Sequence, residues 1–185
     1  LFDESNKLRH FTIETMRVLD QGGLDCVLPD LPGCNESLAS LAEQSLANWR
    51  VAALAAARHY GATHVLAIRS GALVAPPLPG WRYAALPGET ALRALLRARV
   101  LASKEAGLAE TRDSLLERGL ASGLDLAGYH LSAGMVSELV EAQPAPLEDI
   151  AQSVIGGPGL WLRAEPDHSP AQAQALAKVV LAAFA

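Results

Sequence analysis

Thr63-His64-Val65-Leu66-Ala67-Ile68-Arg69-Ser70-Gly71 is the stretch on which the fold turns. From Val65 to Ile68 the residues are all apolar, as in a parallel strand covered on both faces. Residues 70–74 then read as the start of a short helix, which Pro76-Pro77 stops. A tight strand-to-helix turn strains the residue at its apex, so the positions two before and two after must be small. Centring the turn on Arg69 places Ala67 and Gly71 there, and both fit. Centring it on Ser70 places Ile68 and Ala72 there, and the β-branched Ile68 is too bulky. The kink is therefore expected at Arg69.

The pattern on either side is one of alternating helices and strands. Residues 6–21 carry Leu8, Phe11, Val18 and Leu19 at helical spacing, with Ser5 as an expected N-cap and Gly22-Gly23 as a stop. Residues 24–28 read as a short strand, ended by turn chemistry at Pro29-Asp30-Leu31-Pro32-Gly33. A helix is expected over 41–60 and a third strand over 81–85. Residues 89–143 are charged and Leu/Ala-rich, with glycine breaks, and read as an insertion of helices over one end of the sheet. A short helix over 147–154, a strand over 159–164 and a final helix over 170–184 follow, the last with Ser169 as cap and Pro170 in its first turn. Such alternation predicts an α/β fold, a mostly parallel sheet with helices on both faces, in one domain spanning 1–185.

Composition narrows the function. Half of the 185 residues are hydrophobic and 19% are charged, which is globular composition. The net charge of −5 and the lack of a basic stripe argue against nucleic acid as a partner. Arg93, Arg97 and Arg99 lie close together, but at helical spacing with leucines between them they read as a solvated helix face. Two cysteines, Cys26 and Cys34, are too few for a disulfide scaffold, so a reducing, cytoplasmic setting is expected. No apolar run reaches the roughly 18 residues of a membrane span, and no signal peptide is visible. The first residue is Leu1, not methionine, which leaves room for residues removed upstream. No zinc spacing, phosphate loop or dinucleotide fingerprint occurs, so neither a metal nor a cofactor is implied.

Ligand sites in open α/β sheets lie at the carboxyl ends of strands, which points again to Arg69. Arginine is no serine-type nucleophile and stays protonated. At a helix N-terminus its charge opposes the dipole, so an anion is expected beside it. Glu4, Asp167 and Glu165 are candidates, as is a bound anionic ligand.

Several segments resemble one family, the exosortase A system-associated hydrolases of the type called hydrolase 2. They are Phe2-Asp3-Glu4-Ser5-Asn6-Lys7-Leu8-Arg9, then Leu28-Pro29-Asp30-Leu31-Pro32-Gly33-Cys34-Asn35-Glu36-Ser37, then Ile68-Arg69-Ser70-Gly71-Ala72-Leu73. Leu95-Leu96-Arg97-Ala98-Arg99 and Leu126-Ala127-Gly128-Tyr129-His130-Leu131-Ser132 complete the set. The resemblance implies an α/β-hydrolase-like core with a helical cap, residues 89–143, in a bacterial exopolysaccharide or protein-sorting context. Arginine at the elbow belongs to the family's pattern, whereas Ala67 replaces its usual glycine. Against that fold the chain starts after the early strands, so either the sheet is short or upstream residues are absent.

By analogy with α/β-hydrolases, Asp167 fits the acid position after the late strand, although a turn or cap aspartate reads equally well there. His168 is the only histidine left nearby for a triad, with His10 the next candidate. His130 belongs to the insertion and is placed to reach over the site as a lid residue. The catalytic positions to test are thus Arg69, Ser70, Asp167 and His168. The candidate ligand-binding residues are Glu4, Asn6, Arg69, Cys34 and His130. The sequence predicts a degenerate module that binds an anionic small molecule or a protein partner, with a homo-oligomer possible. The alternative is an active ester or thioester hydrolase using Ser70 or Cys34.

Overall fold

The computed structural model describes residues 1–163 and 165–184. Its centre is a small parallel sheet of three strands, β1 (Val65–Ile68), β2 (Gly80–Tyr83) and β5 (Glu148–Ile150), in the order β1-β2-β5. Gly80 permits the β1–β2 approach. It has φ 148°, and a Cβ there would stand 1.9 Å from the Val65 carbonyl oxygen.

Alternation along the strands sends Leu66, Ile68, Trp81, Tyr83 and Ile150 to one face. There they pack with α2 (Arg9–Gln21) and α8 (Pro170–Leu181), through Phe11, Leu19, Leu176 and Val180. The two helices also pack on each other. Arg82 lies on the opposite face, where it pairs with its cross-strand neighbour Asp149 at 3.2 Å.

A second apolar cluster lies beyond the elbow. It joins Leu73 and Val74 to α3 (Leu46–His59), α4 (Gly88–Glu105), α5 (Arg112–Ser122) and α6 (Ala133–Glu141). Trp49, Leu92, Leu115, Val136 and Leu139 are at its core. Among the described residues no helix is long and apolar enough to cross a membrane.

The α/β class and the parallel sheet thus hold, and several expected elements differ. The 89–143 insertion is not all helix. It contains a hairpin of β3 (Leu124–Leu126) and β4 (Tyr129–Leu131). Ala127 and Gly128 turn it with φ 49° and 84°, the pair of positive angles a tight two-residue turn demands. Residues 147–154 divide into β5 and the single turn α7 (Gln152–Ile155), because 148–150 find a ladder partner in β2. The strand expected over 159–164 is a 3-10 turn over Leu160–Leu162, with Ala164 outside the described residues. Residues 24–28 form no strand, since no neighbouring strand pairs with them among the described residues.

The helix ends were read in part. Ser169 caps α8, accepting from the Gln172 amide at 3.4 Å, and Pro170 opens the helix. Ser5 is not a cap. It lies inside α1 (Asp3–Lys7), and its hydroxyl donates to the Phe2 carbonyl. The helix expected over 41–60 begins at Leu46 behind the Ser45 cap, after a separate 3-10 turn over Leu41–Glu43.

Candidate functional site

The elbow kinks at Arg69. Its φ is 54°, a left-handed conformation that costs a residue with a Cβ about 1 kcal/mol. It stands between Ile68, still extended at φ −104°, and the 3-10 turn over Arg69–Leu73. Ala67 is buried just before the bend, as the steric argument expects, whereas a Cβ on Gly71 would meet nothing within 4 Å, so the second small position is not a steric requirement of this turn.

The Arg69 guanidinium is enclosed by partners. Nε and Nη2 donate to Glu4 Oε1 at 3.2 and 2.8 Å. Nη1 donates to the Ala84 carbonyl at 2.9 Å, just past the end of β2. The flat face lies 4.0 Å from the Trp161 ring centroid, a cation–π contact. The Arg69 and Glu4 side chains are only 15% and 24% exposed, so the pair is poorly screened by solvent. Each partner comes from a different part of the chain: Glu4 from α1, Ala84 from the β2 exit and Trp161 from the 3-10 turn at 160–162.

Ser70 is 1% exposed. Its hydroxyl donates to Glu4 Oε2 at 3.2 Å and accepts from the Leu1 amino group at 2.8 Å. Glu4 thus uses one oxygen on the guanidinium and the other on the serine. Among the described residues no imidazole hydrogen-bonds Ser70, and its hydroxyl proton points at a carboxylate already paired with Arg69, so the serine–histidine arrangement of a hydrolase is not formed there.

The expected acid and histidine belong to another group. Asp167 pairs with Arg163 four residues earlier and accepts the His168 amide. That amide, before Arg163 itself, holds the carboxyl below the usual aspartate range. His168 stacks on His10 with ring centroids 4.0 Å apart. His130 sits on the hairpin and bonds Asp125 at 2.8 Å. Asn6 donates to the Tyr129 hydroxyl at 3.5 Å, joining α1 to that hairpin. Of the candidates, the structure unites Glu4, Arg69 and Ser70.

Cys34 lines the same cavity as Glu4 and Arg69. Burial pushes its thiol above the usual cysteine value, and nearby Asp30 adds to this. A thiol so placed is mostly protonated at neutral pH, which lowers its nucleophilicity. Among the described residues no group of three His, Cys, Asp or Glu side chains is arranged to hold a metal ion.

The cavity is an apolar groove of about 250 Å³ along β1, walled by Phe2, Leu8, Leu28, Leu66, Ile68 and Val74. A second hollow of about 430 Å³ continues along the same strand, between residues 24–28 and Thr63–Leu66. Sequence reasoning missed Trp161, which was assigned to a strand, and Ala84, which contributes only its carbonyl. No residue-type signal marks a backbone acceptor. No family model, curated protein or solved structure matches the chain.

Proposed function

We propose that this chain is a catalytically degenerate, α/β-hydrolase-like module that acts by binding, in the reducing, cytoplasmic setting its two cysteines suggest and in the exosortase- or exopolysaccharide-related system that the segments resembling hydrolase 2 imply. One observation carries the reading. The elbow position that would present a nucleophile holds Arg69, and its charge is already spent on Glu4. The neighbouring hydroxyl of Ser70 is buried on the same carboxylate, not poised beside an imidazole.

The same geometry bears on what is bound. An anionic small molecule would have to displace Glu4 from the guanidinium, leaving a half-buried carboxylate without its partner. The groove beside the elbow is lined mainly by apolar side chains. A protein partner is therefore the better-supported ligand, and the anionic small molecule the lesser.

The test is covalent labelling of the intact chain with a fluorophosphonate and with iodoacetamide, read by mass spectrometry, alongside a panel of esters and thioesters. No adduct on Ser70 and no turnover above an Arg69→Ala control are expected. A fluorophosphonate adduct on Ser70, or turnover abolished by Cys34→Ala, would establish the active-hydrolase alternative.

A further inference from the structure

β1 is an edge strand, and its outer edge is bare. The Val65 amide donates to the Pro79 carbonyl, so the backbone groups of Val65 and Ala67 point to β2. Those of Leu66 and Ile68 then point the other way. The Ile68 carbonyl is taken up as the cap of the 3-10 turn over Arg69–Leu73, but among the described residues no strand pairs with the Leu66 amide and carbonyl or with the Ile68 amide. Instead they face the two hollows, which share Leu28, Val65, Leu66 and Ile68 and make one slot along the strand.

The other walls of the slot also lack partners. Residues 24–28 line it opposite β1 without joining a ladder, leaving Val27 and Leu28 50% and 44% exposed. Above it, α3 has fourteen residues yet buries only Leu46 and Trp49, and Ala53 opens onto the slot. Tyr60 and Phe184, both exposed aromatics, stand at its far end. A slot that was merely greasy would suit any hydrocarbon. This one also carries alternating N–H and C=O groups along one wall, and an extended backbone matches those groups.

We infer that the slot takes an extended polypeptide segment, which adds a strand to the outer edge of β1 through Leu66 and Ile68 and buries apolar side chains against α2 and α3. The partner is a strand rich in Val, Ile, Leu or Ala, since both sides of the slot are apolar. This rests on the binding-module reading above and names the chemistry of its partner.

The probe is a library of capped peptides with five-residue cores drawn from Val, Ile, Leu, Ala and Thr, flanked by lysine pairs, and added to the intact chain. Members are expected to bind and to slow amide hydrogen exchange at Leu66 and Ile68 at least tenfold. N-methylation of alternate backbone amides in the best peptide should weaken it at least tenfold, with side chains and charge kept. Leu66→Pro, which removes an outward N–H and leaves the β2 ladder intact, should do the same.

Three results overturn the inference: no member of the library slows exchange at the two amides, the N-methylated peptide or decanoate binds equally well, or self-association of the chain at rising concentration protects the same amides. The N-methylated peptide keeps the test decisive on the unaltered protein should Leu66→Pro not fold. Failure of the peptides with Ser70 still unlabelled sinks this proposal alone, whereas a Ser70 adduct sinks the functional reading.

Discussion

Glu4 and Arg69 lie 65 residues apart in the chain, and one carboxylate oxygen of Glu4 receives two of the Arg69 donors, at 2.8 and 3.2 Å. The other oxygen accepts from Ser70. A single acidic side chain thus neutralises the elbow cation and ties down the adjacent hydroxyl. The pair closes the elbow from the inside.

Glu4→Ala leaves the guanidinium enclosed with no counter-charge, and should cost about 3 kcal/mol of stability. In an Arg69→Met background the same change should cost much less, giving a coupling energy of about 1–3 kcal/mol. Urea unfolding of the four proteins in the cycle measures it. Additive losses would mean the pair is not coupled.

Arg69→Gly and Arg69→Ala both lose the ion pair, but only glycine accepts φ 54° without strain. The glycine variant should therefore be the more stable of the two by about 1 kcal/mol. Equal stability in thermal and denaturant unfolding would place the kink elsewhere.

Tyr83 is buried beneath α2 and bonds Gln152, and burial pushes its phenol up to about 12. Unfolded tyrosine ionises near 10. The unfolded state then releases its proton first as pH rises, so the stability Tyr83 provides is intact below about pH 10 and is lost between about 10 and 12. Tyr83→Phe should flatten that fall. Ultraviolet titration should show one phenol ionising last, missing in the variant.

Glu110 receives Arg99, Ser103 and Arg118, bridging α4 to α5. The Arg99 hydrogen bond first, then those from Ser103 and Arg118, bring its carboxyl down to about 2. Its stabilising effect is present above the unfolded value near 4.3 and is lost as pH falls toward 2. Glu110→Gln should make the α4–α5 pair less stable at neutral pH and remove the acid-side fall in this window, as followed by hydrogen exchange in α4 and α5.

How much of this was legible can be judged at particular residues. The kink was expected at Arg69 from side-chain volume at 67, 68 and 71, and Arg69 carries the positive φ; the buried Ala67 fits that local argument, while Gly71 has open space around it and does not. The Ser169–Pro170 start of α8 was equally local. The hairpin at 124–131 was missed although it has a clear signal. Leu124-Asp125-Leu126 and Tyr129-His130-Leu131 alternate about a Gly-containing turn, and the surrounding Leu/Ala-rich helices hid it. Residues 24–28 and 148–150 are both short. Only the second became a strand, because it has β2 beside it. Strand formation depends on a neighbour that a short segment cannot announce by itself.

The chain alone determined that a cation sits at the elbow and that it needs an anion, since arginine cannot shed its charge and the helix start there opposes it. It also determined the parallel α/β character, through the apolar run at 65–68 and the helices around it. Only the tertiary structure chose Glu4 over Asp167, set Trp161 against the guanidinium, sent His168 to stack on His10 and left one edge of β1 without a partner strand among the described residues. Those outcomes depend on distances between segments tens of residues apart. Hydrogen bonds and ion pairs act over a few ångströms of space, and sequence spacing constrains that space only within a turn or a single element.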